Sequence, residues 1–335
     1  MSEPDSNQEA RDRVLSLFRE KESFLLSGHV RPDGDCVGGE AALASVLLAM
    51  GKQVTILNPD PPDPNFAFFT ETLGFGVFED GELPEHDVAV LLDISELSRC
   101  GELGTKIGEA NSTKVVIDHH MHFGEDWWDE SYVDVTASAT GLLVCRIAKE
   151  LGVELDLRGA NAAYVALVCD TGWFKYSNTD AETLRVAGEL VGLGVEPARV
   201  YDSLFQRDQP GQPMWLSGML ATAVYHADGK LVMFELPFAD PFVTKNADSD
   251  PAMDVLRAVE GVEVVLFLRE LADNTVKLSA RSKTDYDVNA LAREFGGGGH
   301  KKASGATIDG SLSEVRSKLL AAALPGFNAE VGGQR

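Results

Sequence analysis

Four separate segments of this chain carry carboxylates and imidazoles where predicted strands or helices end. They are His29 with Asp33 and Asp35, then Asp93, then Asp118 with His119 and His120, and finally Asp170. Oxygen-rich ligand sets with a minority of imidazole suit Mn²⁺ or Mg²⁺ better than structural zinc, and the imidazoles favour Mn²⁺. Because four independent segments are much harder to obtain by chance than one, we predict that they converge on one metal site.

Charge arithmetic predicts how many metal ions this site needs. Its four aspartates carry four negative charges, which would repel a phosphate; they are Asp33, Asp35, Asp93 and Asp170. One divalent cation leaves half of that charge, and two neutralise it. Two ions about 3.5–4 Å apart lower the pKa of a bridging water toward about 7. We therefore expect two divalent ions and a hydroxide nucleophile.

The elements that must position these residues are predicted to form a parallel sheet. The predicted strands at 24–26, 53–57, 87–93 and 115–118 are near-continuously apolar and are separated by helical patterns, which is typical of strands covered on both faces. Sites in such sheets lie beyond the carboxyl ends of the strands. The sequence therefore predicts a doubly wound, mainly parallel α/β domain with its active site at that edge.

The segment after the first strand is predicted to be a loop. Pro32 and Gly34 disfavour regular structure, so we expect His29, Asp33 and Asp35 on a tight connection. The next helix is expected to run from about residue 39 to residue 50.

The length of 335 residues allows two domains, each with its own core. We predict a metal-binding domain over 1–205, a linker over 206–213 and a disordered tail over 326–335. Residues 214–325 are predicted to form a smaller α/β domain with a mixed sheet. Its expected strands are 231–236, 262–269 and 275–280, and its expected helices are 252–259 and 288–295.

The net charge of −24, from 53 acidic and 29 basic residues, makes long duplex nucleic acid an improbable partner. It leaves room for a small anionic ligand where bound metal reverses the local field. No apolar run approaches the length of a membrane span, and the acidic N-terminus lacks a signal pattern, so we expect a cytoplasmic protein without membrane contact. The oligomeric state stays open, a homodimer included.

The four segments resemble the four motifs of the DHH phosphoesterase superfamily. The matching residues are His-x-x-x-Asp-x-Asp at 29–35, Asp93, Asp118-His119-His120 and Asp170-Thr171-Gly172. The glycine-rich run at 296–305 resembles a motif of the DHH-associated C-terminal domain. The resemblance covers roughly residues 20–310 and is nearest to the nanoRNase/pAp-phosphatase branch. It implies an enzyme that hydrolyses short oligoribonucleotides or 3′-phosphoadenosine 5′-phosphate (pAp).

The resemblance also implies a role for each residue. One metal would lie on His29, Asp33 and Asp93. The other would lie on Asp35, Asp93, His119 and Asp170, with Asp93 as the bridge. His120 would face the scissile phosphate, and Asp118 would orient an imidazole. The substrate would be held between the domains by five residues of the second domain: Arg281, Ser282, Gly298, Gly299 and His300. Arg99 of the first domain would add a phosphate contact.

Other interpretations remain open at this point. Within the superfamily, a cyclic or linear dinucleotide phosphodiesterase fits the same motifs. Inorganic pyrophosphatases share the first-domain motifs, but the glycine-rich motif is not theirs. A non-catalytic nucleotide-binding regulator is an alternative of a different class. The predicted metal ligands argue against it, because none of these positions is visibly degraded. Arg281 could also be an ordinary surface residue of a strand.

Overall fold

The structure of the chain, a computed structural model, describes residues 6–122, 126–207, 210–238, 250–271 and 274–328. The chain divides into two compact units, Met1–Arg207 and Asp208–Arg335, which we call unit 1 and unit 2. Each unit contains a six-stranded sheet.

Unit 1 is an α/β unit whose described strands are all parallel to their neighbours. Its strands are β1 Ser23–Ser27, β2 Gln53–Asn58, β3 Gly76–Val77, β4 Val88–Leu92, β5 Thr113–Asp118 and β6 Glu130–Val133. Its helices are α1 Ser6–Glu20, α2 Gly34–Ala49, α3 Ala67–Thr70, α4 Gly101–Glu109, α5 Thr140–Leu151, α6 Leu157–Asp170, α7 Ala181–Gly192 and α8 Pro197–Phe205.

The strand order of this sheet, β3-β2-β1-β4-β5-β6, reverses direction between β1 and β4. In open α/β sheets this reversal leaves a crevice beyond the carboxyl ends of the two strands, where ligands bind. The loops that follow β1 and β4 carry His29 and Asp93. The predicted doubly wound parallel sheet is confirmed, and its topology places two of the predicted site residues at the crevice.

Helices cover both faces of the unit 1 sheet, because alternate strand residues point to opposite sides. On one face, Leu25 and Leu91 pack with Leu103 of α4. On the other, apolar residues of β1, β4 and β5 pack against α2, α5 and α6. The strands are consequently apolar along their whole length, which is why the sequence revealed them.

Helix α2 begins earlier than the sequence suggested. The predicted start near residue 39 is wrong, because the helix begins at Gly34 and Asp35 lies in its first turn. The carboxylate of Asp33 caps the helix by accepting hydrogen bonds from the backbone N–H groups of Asp35 and Cys36. Position 38 inside the helix requires glycine, because a Cβ there would lie 2.5 Å from the Ala162 carbonyl oxygen of α6.

Unit 2 has a mixed sheet in the order β11-β12-β10-β9-β8-β7, as predicted: β8 and β9 are parallel and the other pairs antiparallel. Its strands are β7 Val224–His226, β8 Leu231–Leu236, β9 Val264–Glu270, β10 Thr275–Ser282, β11 Gly298–His300 and β12 Ala303–Asp309. Its helices are α9 Gln212–Ala221, α10 Asp250–Arg257, α11 Val288–Glu294, α12 Leu312–Ala323 and α13 Pro325–Asn328.

The two faces of the unit 2 sheet are covered unequally. Helices α11 and α12 pack across one face, on residues of β8, β9, β10 and β12. Helices α9 and α10 pack on the other face, against residues of β8 and β9. Among the described residues, the core under these two helices includes none from β10, β11 or β12.

Two predicted boundaries of irregular structure need correction. The last two residues of the predicted linker, Gln212 and Pro213, begin α9, where proline fits the first helical turn. The predicted disordered tail contains the end of α13, and residues 329–335 lie outside the described residues. Among the described residues, no helix combines the length and the apolar character needed to cross a membrane.

Candidate active site

The predicted ligands of unit 1 meet at the crevice between β1 and β4. His29 and Asp93 follow these two strands, and Asp118 ends β5 beside them. The helices supply the remaining acids, because Asp35 lies in the first turn of α2 and Asp170 is the last residue of α6. The structure brings three groups of candidate ligand atoms within 4.8 Å of one another: Asp93 with His119 and His120; His29 with Asp33 and Asp93; Asp35 with His119 and Asp170.

Asp93 lies at the centre and faces both sides of the cluster. Its Oδ2 is 3.4 Å from His29 Nε2, and its Oδ1 is 3.5 Å from His119 Nε2. The backbone of Asp93 is left-handed, with φ of 60°, a conformation that aspartate tolerates better than most residues. This local strain at the end of β4 accompanies a carboxylate that can serve two cations at once.

The second side of the cluster is centred on His119. Its Nε2 lies 3.2 Å from Asp170 Oδ2 and 3.5 Å from Asp35 Oδ2. Asp35 is fully buried, and its carboxylate accepts hydrogen bonds from the backbone N–H groups of Thr140 and Gly141, at 2.6 and 2.9 Å. The N-terminus of α5 thus fixes Asp35, as helix N-termini do for anions.

Two buried nitrogens give a structural reason to expect cations here. The Nε2 atoms of His29 and His119 are buried and have no hydrogen-bond partner among the described residues. Their Nδ1 atoms face the carbonyl oxygens of Val30 and Ala137, at 2.9 and 3.2 Å, which leaves a lone pair on each Nε2 when the imidazole is neutral. An unpartnered buried lone pair is costly, and metal coordination would satisfy it. The residues present therefore fit divalent cations.

The electrostatics of the cluster indicate the same requirement. Burial lowers the pKa of His119, but the carboxylates of Asp170 and Asp93 outweigh burial and raise it to about 11. Burial and the charges of Asp93 and Asp170 raise the pKa of Asp35 well above its ordinary value. The metal-free cluster holds protons to limit its charge, and divalent cations would take their place.

His120 has a different environment from His119. Its Nδ1 lies 2.8 Å from Asp118 Oδ1, and this hydrogen bond raises its pKa. Asp118 is fully buried, accepts the backbone N–H groups of both histidines, and is also bonded by the hydroxyl of Ser95. The ring of His120 is 43% exposed, whereas that of His119 is 11% exposed. Asp118 thus orients His120 toward the open side of the cluster.

Sequence reasoning missed the groups that hold these ligands. Thr140 and Ser95 contact Asp93 and Asp118 but are ordinary residues of predicted helix and loop segments. Beneath the site, the fully buried Glu40 accepts a hydrogen bond from Asn58, whose side-chain oxygen accepts the backbone N–H of Gly28. The detectable signal for Glu40 is an acidic residue that follows Asp35 in a helix of otherwise small and apolar residues.

The predicted phosphate contact Arg99 lies near this site through its backbone. Its carbonyl oxygen accepts the N–H of Val30, the residue after His29, at 2.8 Å, and its side chain is exposed. The structure thus brings Arg99 beside the β1 loop, with its guanidinium in solvent.

The substrate residues predicted in unit 2 lie on two faces of its sheet. Arg281, Gly298 and Gly299 line a groove of about 580 Å³ over β10, β12 and β11. His300 pairs with Ala303 at the edge of the same three strands and is exposed. Ser282 is buried, and its hydroxyl donates to the Thr284 carbonyl, so its side chain lies on the face opposite Arg281.

Comparison with known proteins follows the division into two units. Residues 23–168 match the DHH family N-terminal domain, and residues 229–324 match the DHHA1 domain. The chain is 33% identical over 303 residues to the bifunctional oligoribonuclease and PAP phosphatase NrnA of Thermus thermophilus, covering 89% of this chain and 88% of that protein. The chain belongs to the DHH phosphoesterase family. Its predicted membership, with relatives in the oligoribonuclease and PAP phosphatase branch, is confirmed.

Solved structures of this fold include an exopolyphosphatase-related protein from Bacteroides fragilis. The two structures superpose with a TM-score of 0.89 at 24% sequence identity, and the match covers 96% of each chain. An exonuclease RecJ bound to manganese has a TM-score of 0.52 and 15% identity, covering 97% of this chain and 95% of that one. At these identities both comparisons support the fold.

Proposed function

We propose that this protein is a metal-dependent phosphoesterase that hydrolyses short oligoribonucleotides and pAp. The observation that supports this best is the pair of buried, unpartnered histidine Nε2 atoms among the carboxylates at the crevice. The relative that is 33% identical bears the name of an oligoribonuclease and PAP phosphatase, which supports the choice of substrates.

The ligand set we propose consists of two groups that share one carboxylate. His29, Asp33 and Asp93 would hold one divalent cation, and Asp35, Asp93, His119 and Asp170 would hold the other. The mixture of carboxylate and imidazole favours Mn²⁺, with Mg²⁺ as the alternative. When bound, the cations supply positive charge for the transition state and lower the pKa of the attacking water.

His120 is the protein group we assign to the scissile phosphate. Asp118 accepts its Nδ1–H, so Nε2 is available to donate a hydrogen bond or a proton. The hydrogen bond to Asp118 raises the pKa of His120 and so extends the protonated form of the ring to higher pH, which suits a group that stabilises a phosphate oxygen or protonates the leaving alcohol. Asp118 acts as a positioning residue.

In unit 2 we assign substrate binding to Arg281, to the glycine loop of Gly298 and Gly299, and to His300. Exposed backbone at glycines permits close approach of a phosphate or ribose. The net charge of −24 supports the exclusion of long duplexes. The cytoplasmic location and the homodimer stay predictions from the sequence.

Hydrolysis assays with purified protein test this function. With Mn²⁺, the protein should release phosphate from pAp and mononucleotides from a short oligoribonucleotide. Asp93→Asn keeps the size of the side chain and removes the shared charge, so it should abolish both activities. Asp12→Asn, the same exchange at an exposed residue of α1, is the matched control and should retain them. Full activity of Asp93→Asn would refute the assignment of the cations.

The nucleotide-binding regulator is the alternative of a different class. Isothermal titration separates the two, because a regulator binds nucleotide without turnover at any metal concentration. A substrate panel with cyclic and linear dinucleotides distinguishes the remaining phosphodiesterase specificities.

A further inference from the structure

The groove of unit 2 extends beyond the glycine loop, along the open half of the sheet. Its residues come from three neighbouring strands, β10, β12 and β11, and are mostly small. In the antiparallel register, Ser279 lies opposite Gly305, which lies opposite Gly298. The floor of the groove is thus almost bare backbone, and it has a cation at each end.

One of these cations, Lys277, has no assigned role. It lies on β10 four residues before Arg281, so both side chains point to the groove face with Ser279 between them. Among the described residues, the ammonium of Lys277 has no hydrogen bond or ion pair, although the chain has an excess of carboxylates. None of the described residues that line the groove is acidic.

The spacing of the two cations fits a strand of nucleic acid. Four residues of a β-strand span about 13 Å. A nucleotide adds roughly six backbone bonds, about as many as two residues of extended peptide. Phosphates two nucleotides apart therefore match the separation of Arg281 and Lys277, whereas pAp and a dinucleotide are too short to reach both.

We propose that Lys277 binds a second phosphate of longer substrates and makes the groove selective for oligoribonucleotides of three or more nucleotides. The inference rests on the proposed function, because it takes Arg281 as the first phosphate contact. The ligand is the phosphodiester backbone of a short single strand, chosen by charge complementarity in a groove without carboxylates. The glycine floor accepts any base, because it offers no side chain that distinguishes one.

Length-dependent kinetics test the proposal on the full chain with Mn²⁺. The substrates are pAp and 5′-phosphorylated di-, tri- and pentanucleotides, and the variants are Lys277→Ala and Lys277→Arg. Lys277→Ala loses one charge-assisted phosphate contact, so its KM for the pentanucleotide should be roughly tenfold higher than that of the wild type. The KM for pAp and the dinucleotide and the kcat for all substrates should not change. Arginine should restore the KM.

A binding measurement gives a second readout. The slope of log affinity against log salt for a labelled pentanucleotide should weaken by about 0.7 in Lys277→Ala, the value for one lost contact on a single strand. Lys318→Ala removes the same charge from α12, whose apolar residues pack on the opposite face of the sheet. This control should leave both KM and slope as in the wild type.

Three outcomes are decisive. Equal KM values for wild type and Lys277→Ala at every length would overturn the proposal. An equal loss for pAp and pentanucleotide would also overturn it, since Lys277 would then act without regard to length. If no variant hydrolyses any substrate but pentanucleotide binding still depends on Lys277, the proposed function fails and the phosphate subsite stands.

Discussion

Replacing the buried Glu40 by glutamine should make the protein more stable, and increasingly so as the pH rises. Glu40 is fully buried and hydrogen-bonded by Asn58 at 2.8 Å, while its Oε1 has no partner among the described residues. Burial raises the pKa of Glu40 from 4.5 to about 8. The fold therefore favours the neutral carboxylic acid.

The sign of the effect follows from proton linkage. Between pH 4.5 and about 8 the folded chain binds more protons at Glu40 than the unfolded chain, so the free energy of unfolding falls with rising pH. A shift from 4.5 to about 8 corresponds to about 5 kcal/mol as an upper bound, fully expressed above pH 8 and about 3 kcal/mol at pH 7. Glutamine has the same shape without this titration. Glu40→Gln should gain roughly 1 kcal/mol at pH 5 and several kcal/mol at pH 9, relative to wild type.

Urea unfolding of metal-free protein in a chelator from pH 5 to pH 9 measures this difference. In a Trp215→Phe background, the remaining tryptophans all lie in unit 1, so fluorescence follows the unit that contains Glu40. Other titrating groups are common to both proteins and cancel in the comparison. The same exchange at the exposed Glu102 is the control. The reasoning would be refuted if the difference in the free energy of unfolding between wild type and Glu40→Gln did not change with pH. A difference that changes with pH but is shifted by a constant amount would agree with the reasoning, since the amide introduces N–H groups of its own.

Three further results are expected. Mn²⁺ affinity should rise with pH because His119, with its pKa near 11, must lose a proton. Calorimetry in buffers of different ionisation enthalpy should count at least one proton released per ion bound at that site, since the raised pKa of Asp35 lets this carboxyl group release a proton as well. Asp118→Asn weakens the hydrogen bond that raises the pKa of His120. This variant should therefore have a kcat roughly 10²-fold lower and a pH–rate profile whose alkaline limb lies at lower pH. An alkaline limb at the wild-type pH would contradict the positioning role of Asp118. Gly298→Val should leave the melting temperature unchanged, since a Cβ there meets nothing within 4 Å, yet raise the KM for oligoribonucleotides by occupying the groove floor.

The sequence could predict the strands and the acids that follow them for a definite physical reason. Central strands of a parallel sheet are buried on both faces, so β1, β4 and β5 are apolar runs that stop at polar residues. Because parallel strands end at the same edge, Asp93 and Asp118 could be placed together without coordinates. The short strands β3, β6, β7 and β11 were missed, since two to four residues are too few to show a period. The longer β12, Ala303–Asp309, was missed as well.

The supporting contacts could not be predicted, because they join residues that are remote in sequence. The N–H groups that hold Asp35 come from α5, 105 and 106 residues later. The start of α2 was misplaced because Gly34 argued for a loop, whereas the Asp33 cap and close packing on α6 favour a helix. Glu40 was overlooked because a charged helical residue is usually exposed. Here nearly the whole helix is buried, and only the assembled fold reveals this.

The acidity of the whole chain and the cationic groove act on a nucleotide over different distances. At physiological salt the screening length is about 8 Å, so Lys277 and Arg281 act on a phosphate in the groove while most of the net charge of −24 is screened. At about 0.01 M salt the screening length grows to about 30 Å, and the carboxylates of the whole surface repel the same phosphate. Attraction and repulsion therefore both strengthen as salt is removed, and the salt dependence of wild-type binding should be shallower than two phosphate contacts alone would give. The difference in slope between wild type and Lys277→Ala, in which the distant charges cancel, isolates the groove.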